Sequence, residues 1–190
     1  MTIHLLRLTL FRVLFFFAVP WYKIAASVVL VPILLLYAFG LLSNNKAKEK
    51  VFTFLFGGAA EDEFNSLARK FSLERVEKII HPEAIEKVKW HKEREHKLVI
   101  ASASLKNWIL PWAKNNEFDE VIATEPEVKS GALTGKFLHG NCSKKNKLSL
   151  VKEKYPDLEN YYVYVYTDSI KDQPLLDVAD EKFLGRFNKL

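Results

Sequence analysis

Several residue types are scarce in this chain of 190 residues, and each scarcity excludes a class of protein. The single cysteine, Cys142, allows no intrachain disulfide and gives too few thiolates for a structural zinc or iron–sulfur site. Only 7 glycines and 7 prolines, with 49% hydrophobic and 27% charged residues, exclude disordered, collagen-like and low-complexity chains. The composition predicts a globular core in a reducing compartment.

Acidic residues are absent from the first 48 positions. Residues 1–45 carry Arg7, Arg12 and Lys23, a net charge of +3, whereas the remainder has 25 basic and 23 acidic side chains, a net charge of +2. A basic, acid-free and apolar N-terminal quarter followed by a charge-balanced remainder is typical of membrane contact and not of nucleic-acid binding. We therefore expect no nucleic-acid partner.

The N-terminal quarter contains a long apolar run. From Leu8 to Leu42, 28 of 35 residues are apolar, and Ile24–Leu42 is 19 residues without a charge. A helix of that length would be about 28 Å long, close to the hydrocarbon thickness of a bilayer. Pro20 and Lys23 interrupt the run, so we expect an apolar hairpin over residues 8–42 that enters the cytoplasmic face of the inner membrane. The alternatives are a buried helical hairpin in a cytoplasmic protein and a secretory signal peptide.

The segment that follows has helical periodicity. The predicted helices are Val51–Phe56, Glu61–Phe71 and Val76–His91, the last interrupted near His81–Pro82. Gly57–Gly58 separates the first two. We therefore divide the chain into a helical cap region over residues 1–92 and an α/β core over residues 93–190.

The core region alternates short apolar runs with helical segments. Leu98–Ala101 is a compact apolar run suited to a strand buried on both faces, and Ser102-Ala103-Ser104 is predicted to end it. The later predicted elements are helix Leu105–Asn115, strand Glu120–Ala123, a turn or hairpin at Gly131–Phe137, helix Lys147–Lys154 and strand Tyr161–Tyr166. This order predicts a parallel α/β sheet with right-handed crossovers.

Small polar and acidic side chains follow these strands, at the edge of the sheet where α/β proteins bind ligands. Ser102 follows the first strand, Asp168 follows the third, and Asp172 lies four residues later. Two carboxylates with Lys147 suit Mg²⁺ and phosphate chemistry. The alternatives are structural: Ser102 and Asp168–Ser169 as helix caps, and Lys147 as a solvated helix residue.

Four segments together resemble one known family: LVIASAS (98–104), FDEVIATEPEV (118–128), GALTGKFLHGNCSKKNK (131–147) and YTDSIKDQPLLDVAD (166–180). The order and spacing of these segments resemble the haloacid dehalogenase superfamily of phosphohydrolases, subfamily IB. Within it they resemble the branch that contains phosphoserine phosphatase and phosphatidylglycerophosphatase C. The resemblance implies a Rossmann-like parallel sheet with a helical cap insertion, phosphatase activity and Mg²⁺ as cofactor.

The resemblance also implies roles for individual residues. Ser102 matches the serine whose hydroxyl binds a phosphoryl oxygen, and Lys147 matches the lysine that neutralises the phosphate. Asp168 and Asp172 match the acidic pair that holds Mg²⁺, although Thr167 stands where the family usually has glycine. Three nearby polar residues are secondary candidates for substrate contacts: Ser104, Asn141 and Ser169.

The sequence departs from the family at its first motif. These phosphatases begin with a buried strand that ends in Asp-x-Asp-x-Thr, where the first Asp attacks phosphorus and the second acts as general acid and base. No such motif is present before Glu49, and Met1–Arg7 resembles the helix that follows it. We therefore expect that this chain begins about 15–20 residues later than its relatives do and that the first strand of the sheet is missing. We also expect that the chain has no phosphatase activity.

The apolar cap region favours a lipid phosphate, such as phosphatidylglycerophosphate, as the substrate, since its basic flanks suit anionic headgroups. The alternative substrate is a small phosphomonoester such as phosphoserine. A hypothesis of a different class is a membrane-associated binding protein that does not catalyse a reaction.

The five histidines form no recognisable metal-binding pattern. His91 and His96 are five residues apart, one too many for two side chains on the same helix face. We assign the histidines no role.

Overall fold

The computed structural model describes residues 2–4, 30–33, 35–185 and 188–189. The helices are α1 (Asn44–Phe56), α2 (Glu61–Phe71), α3 (Pro82–Lys92), α4 (Lys106–Asn115), α5 (Lys144–Lys154) and α6 (Gln173–Asp177). The strands are β1 (Thr2–His4), β2 (Leu98–Leu105), β3 (Glu120–Thr124), β4 (Pro126–Lys129), β5 (Ala132–Phe137), β6 (Tyr164–Thr167), β7 (Glu181–Leu184) and β8 (Asn188–Lys189). Short π- and 3₁₀-helical turns lie at Ser72–Val76, Glu77–Ile79, Leu158–Asn160 and Ile170–Asp172.

Six strands form one sheet in the order β3-β2-β1-β6-β7-β8, and all neighbours are parallel except β7 and β8. The remaining two strands, β4 and β5, form a separate antiparallel hairpin. The predicted parallel α/β sheet is therefore confirmed, as is the hairpin expected at Gly131–Phe137.

The expectation that the first strand is missing is wrong. Thr2–His4 is a strand at the centre of the sheet, where Ile3 pairs with Val99 of β2 on one side and with Val165 of β6 on the other. We predicted a helix over Met1–Arg7 by resemblance. Within this segment the structure describes Thr2–His4, and these residues are extended because their backbone forms parallel pairs with β2 on one side and with β6 on the other.

The sheet is buried on both faces because the side chains of its strands alternate between two apolar layers. On β2, Ile100 faces a layer built with α1, α2 and α4, whereas Val99 and Ala101 face a layer built with α5 and α6. The burial on both faces predicted for this strand is confirmed. The strand extends to Leu105 instead of ending at Ser102, with a register shift against β3 between these two residues.

The helix α1 packs against β5 of the hairpin and contacts the end of β2. It begins at Asn44, earlier than the predicted Val51, because the Ser43 hydroxyl accepts a hydrogen bond from the Lys46 amide at 3.4 Å and caps the first turn. Its buried Phe52 packs against Phe137 of β5, with ring centroids 5.2 Å apart. The predicted helix Glu61–Phe71 and the break before Pro82 are confirmed.

Most of the predicted apolar hairpin over residues 8–42 lies outside the described residues. The described part of this segment includes helical residues 30–33 and 35–38, and several of its large side chains, such as Phe39 and Leu41, are exposed. No helix within the described ranges has the length and apolar character required to cross a bilayer.

Two histidines that we assigned no role are in contact. The Nδ1 atoms of His91 and His96 are 2.9 Å apart, and His91 Nε2 lies 3.0 Å from the Tyr166 hydroxyl. The spacing rule applies only within a helix, and α3 ends at Lys92, so the turn that follows brings His96 back over His91. This cluster lies beside β6, and His91 is fully buried.

Candidate active site

A buried ion pair joins α5 to the turn after β6. The Nζ of Lys147 lies 2.6 Å from Oδ1 of Asp172, and the two side chains are 4% and 9% exposed. The Thr167 hydroxyl donates a hydrogen bond to the other carboxylate oxygen at 3.1 Å. The alternative that Lys147 is a solvated helix residue is therefore wrong. Both carboxylate oxygens of Asp172 have partners, and the pair lies at the carboxyl edge of the sheet.

Ser102 and Ser104 are both buried where β2 passes into α4. The Ser104 amide donates a hydrogen bond to the Ser102 hydroxyl at 3.1 Å. The alternative that Ser102 caps a helix is wrong, because the residue before the first turn of α4 is Leu105. The register shift against β3 begins at Ser102, so the backbone departs from regular pairing at the predicted phosphate-binding serine.

Asn141 connects three elements above the ends of β2 and β3. Its Oδ1 accepts hydrogen bonds from Lys48 Nζ at 2.8 Å and from the Thr124 hydroxyl at 3.0 Å. Its Nδ2 donates to Asn45 Oδ1, on α1, at 2.8 Å. This predicted secondary candidate therefore fixes the first turns of α1 to the end of the sheet.

Lys48 is the residue that sequence reasoning missed. Its ammonium donates hydrogen bonds to Asn141 Oδ1 and to the carbonyl of Ala103, directly after Ser102. Burial lowers the pKa of Lys48 to about 8. In the sequence Lys48 is one of three alternating lysines, Lys46, Lys48 and Lys50, that we interpreted as a basic flank of the apolar run, and nothing in that spacing distinguishes it.

Cys142 directly follows Asn141, and its amide donates a hydrogen bond to the Thr124 hydroxyl at 3.1 Å. The thiol is fully buried, and burial raises its pKa to about 11 although the charges of Lys147 and Lys48 oppose that shift. Cys142 has the surroundings of an inert core residue, because nucleophilic cysteines have a lowered pKa.

The acidic turn after β6 contains the other predicted residues. Asp168 is exposed, whereas Asp172 is buried. Ser169 caps the 3₁₀ turn, since its hydroxyl accepts from the Lys171 amide at 3.3 Å, so the capping alternative is confirmed for this residue. Thr167, which departs from the family's glycine, also accepts a hydrogen bond from the Ser169 amide at 3.0 Å.

The two residues predicted to hold Mg²⁺, Asp168 and Asp172, both lie in the segment after β6, and both oxygens of Asp172 already have partners within the chain. Magnesium commonly binds one or two carboxylates together with water and phosphate oxygens. In the described part of the chain, no cluster of three or more His, Cys, Asp or Glu residues could hold a metal ion alone. A magnesium ion here would therefore depend on oxygen atoms of a bound phosphate and of water.

The sequence profile of haloacid dehalogenase-like hydrolases matches residues 2–177 of the chain. The chain belongs to this family. Protein CicA of Caulobacter vibrioides is 26% identical over 155 residues, which are 80% of this chain and 68% of that protein. Among solved structures with a similar fold, a Bordetella pertussis protein of unknown function has a TM-score of 0.71 and 21% identity, covering 80% of this chain and 70% of that one. A probable phosphoserine phosphatase from Vibrio cholerae has a TM-score of 0.64 and 16% identity, covering 100% of this chain and 61% of that one.

Proposed function

We propose that the carboxyl edge of the sheet is a phosphomonoester site in which Ser102 and Lys147 bind the phosphoryl group. The observation that carries this proposal is the buried Lys147–Asp172 pair on the same sheet edge as the buried Ser102. A buried lysine held by one carboxylate is oriented before a phosphate arrives. The match to haloacid dehalogenase-like hydrolases over residues 2–177 supports the same assignment.

We propose that Asp168 and Asp172 hold Mg²⁺ when phosphate is bound. The ion would offset negative charge on the phosphoryl group. In this arrangement Thr167 orients Asp172 through its 3.1 Å hydrogen bond, and Lys147 balances the carboxylate's charge. Asp168 is exposed and supplies the carboxylate that a ligand can approach from solvent.

Turnover requires a nucleophile, and this chain has no carboxylate before Glu49. In sequence, β1 is followed by Leu5, Leu6 and Arg7, so no acidic residue directly follows the strand that pairs with β2, the strand that contains Ser102. We therefore infer that residues 1–190 bind phosphomonoesters without hydrolysing them. Mg²⁺-dependent release of phosphate from a phosphomonoester by the purified chain would contradict this inference.

We propose a lipid phosphate as the class of phosphomonoester that this chain binds, with phosphatidylglycerophosphate as the first candidate. Support comes from the exposed apolar side chains that precede α1, which include Leu35, Phe39 and Leu41, and from the basic residues at the start of α1. Apolar side chains next to lysines suit contact with an anionic membrane surface at the cytoplasmic face of the inner membrane. Phosphoserine is the second candidate, supported by the fold shared with the probable phosphoserine phosphatase of Vibrio cholerae.

The binding proposal is tested by titrating the purified chain with inorganic phosphate in a calorimeter. We expect saturable binding, and we expect Ser102→Ala to weaken it by about tenfold, since one hydrogen bond to a charged group is lost. Ser149→Ala is the matched control, because Ser149 is an exposed serine on the outer side of α5 and bonds only the Lys145 carbonyl among the contacts described. Equal phosphate affinity in all three proteins, or no phosphate binding, would overturn the proposal.

A further inference from the structure

Two histidines outside the proposed phosphate site face each other. His91 lies in the last turn of α3 and His96 lies in the turn before β2, and their Nδ1 atoms are 2.9 Å apart. The strand β2 begins at Leu98, and Ser102 is four residues, about 13 Å, further along it. The histidine pair is therefore a feature that the proposed phosphate site does not use.

The separation of the two nitrogens fits two neighbouring ligands of one metal ion. The bond between a metal ion and an imidazole nitrogen is about 2.0–2.1 Å long. Two such bonds at a right angle, as in square-planar or octahedral ions, place their nitrogens about 2.9 Å apart, whereas tetrahedral bonds place them about 3.3 Å apart. The observed 2.9 Å therefore matches the right-angle geometry of Ni²⁺ or Cu²⁺ and not the tetrahedral geometry of Zn²⁺.

Tyr166 fixes the orientation of His91. The Tyr166 hydroxyl lies 3.0 Å from His91 Nε2, and both side chains are buried. When His91 Nε2 donates this hydrogen bond, the Nδ1 atom of the same ring keeps its lone pair and faces His96. Histidines that bind metal ions usually donate their other ring N–H to a partner in this way.

The chain between the two histidines positions His96 over His91. The His96 amide donates a hydrogen bond to the His91 carbonyl at 3.1 Å, and the His96 ring stacks on Tyr164 with ring centroids 5.7 Å apart. Glu95 has a φ of +55°, in the left-handed region that residues other than glycine rarely adopt. The two imidazoles are thus held together before an ion arrives, which lowers the entropic cost of binding it.

His96 also gives the pair access to solvent. It is partly exposed and lines a cavity of about 450 Å³. The charged residues that line this cavity are Lys92, Glu95, Lys97, Glu117 and Asp119. Three carboxylates against two ammonium groups favour a cation, and the cavity has room for water molecules that complete the coordination of an ion.

We propose that His91 and His96 bind a divalent transition-metal ion with right-angle coordination, Ni²⁺ or Cu²⁺, through their Nδ1 atoms. Without the ion, His96 Nδ1 donates its hydrogen atom to His91 Nδ1, because His91 carries its own hydrogen atom on Nε2. When the ion binds, the hydrogen atom of His96 moves through water from Nδ1 to Nε2. Both Nδ1 lone pairs then face the ion, and the neutral pair releases no net proton. The ion joins the end of α3 to the segment that enters β2.

Calorimetric titration of the purified chain with Ni²⁺ tests the proposal. We expect His96→Gln to weaken Ni²⁺ binding by about tenfold or more, because one of the two protein ligands is lost. His81→Gln is the matched control, because His81 is exposed and its side chain makes no capping hydrogen bond. Asp168→Asn should also leave the Ni²⁺ affinity unchanged, because Asp168 belongs to the proposed phosphate site and not to the histidine pair.

Electron paramagnetic resonance of the Cu²⁺ complex identifies the ligand atoms directly. One equivalent of Cu²⁺ added to the unsubstituted chain should give a spectrum with coupling to two imidazole nitrogens, and His96→Gln should lose that coupling pattern. A parallel titration with Zn²⁺ tests the geometry, since right-angle coordination predicts that Zn²⁺ binds more weakly than Ni²⁺.

Three results would overturn the metal site: no Ni²⁺ binding, equal Ni²⁺ affinity in His96→Gln and His81→Gln, or a Cu²⁺ spectrum without coupling to two imidazole nitrogens. Tighter binding of Zn²⁺ than of Ni²⁺ would overturn the right-angle geometry. Thermal unfolding of His96→Gln without metal checks that the variant folds. The Cu²⁺ spectrum of the unsubstituted chain decides the question if it does not.

Discussion

Lys147 and Asp172 form an ion pair that is almost wholly removed from solvent, with 2.6 Å between Nζ and Oδ1. The two residues lie on different elements, α5 and the turn after β6, and are far apart in the sequence. The pair therefore depends on correct assembly of the parallel sheet. It also orients one cation and one carboxylate at the sheet edge that we propose as the phosphate site.

Breaking this pair should destabilise the fold strongly. We expect Asp172→Asn to lower the free energy of unfolding by about 3–5 kcal/mol, because it leaves the Lys147 ammonium buried without a counter-charge. Chemical denaturation measures the change. The double variant Lys147→Met/Asp172→Asn should lose less, since no charge remains buried. Lys92→Met is the control, because its partner Glu117 is 80% exposed and the surface pair should contribute at most about 1 kcal/mol.

The contact between α1 and the hairpin should be sensitive to a single methyl group. Gly135 has a φ of +84°, and a Cβ atom there would lie 2.7 Å from Cα of Thr53. Gly131 has a similar φ of +74° but no atom within 4 Å of an added Cβ. Both Gly→Ala variants should lose about 1–2 kcal/mol from backbone strain. Gly135→Ala should lose a further 1–3 kcal/mol, roughly, from the clash.

Equal losses of unfolding free energy in Gly135→Ala and Gly131→Ala would show that α1 is not packed against the hairpin as described. That result would also remove the basis for placing Lys48 over the sheet, since the same helix carries Thr53 and Lys48.

The histidine cluster should make the protein less stable in acid. Burial, with the nearby charge of Arg94, lowers the pKa of His96 below its ordinary value. As the pH falls, His96 is therefore protonated in the unfolded chain before it is protonated in the folded chain. The contribution of neutral His96 to the free energy of unfolding is complete above the unfolded pKa, about 6.5, and it is lost as the pH falls through the lower folded pKa. Thermal unfolding midpoints between pH 7 and pH 5 should decrease less in His96→Gln than in the unsubstituted chain.

His139→Gln is the matched control for this experiment, because His139 is exposed and only its backbone carbonyl has a described hydrogen bond. If His139→Gln and His96→Gln change the acid dependence equally, the contact between His91 and His96 does not cause it.

Local sequence patterns predict much of this fold. The apolar run Leu98–Ala101 forms a strand buried on both faces because alternate side chains enter two separate core layers. Pro82 starts a helix because its missing N–H costs nothing in a first turn, and the break before it follows from the same property. These features depend on residues close together in the chain, which is why the sequence reveals them.

Features that depend on contacts between residues far apart in the sequence cannot be predicted from local patterns. Thr2–His4 is a strand because β2 and β6 leave a place for it, not because three residues favour extended backbone strongly. Ser102, Lys147, Asp172 and Asn141 were predicted at the site because each follows a strand or matches a family motif. Lys48 reaches the site from a helix about fifty residues earlier in the sequence than Ser102, and only the packing of α1 reveals it.

The most direct test of the account is the effect of Mg²⁺ on phosphate binding. Inorganic phosphate is titrated into the chain with and without Mg²⁺, and the experiment is repeated with Asp168→Asn, which should fold normally because Asp168 is exposed. The account predicts that Mg²⁺ tightens phosphate binding about tenfold or more in the unsubstituted chain and has little effect in Asp168→Asn. Phosphate binding that is absent, or that responds to Mg²⁺ equally in both proteins, would contradict it.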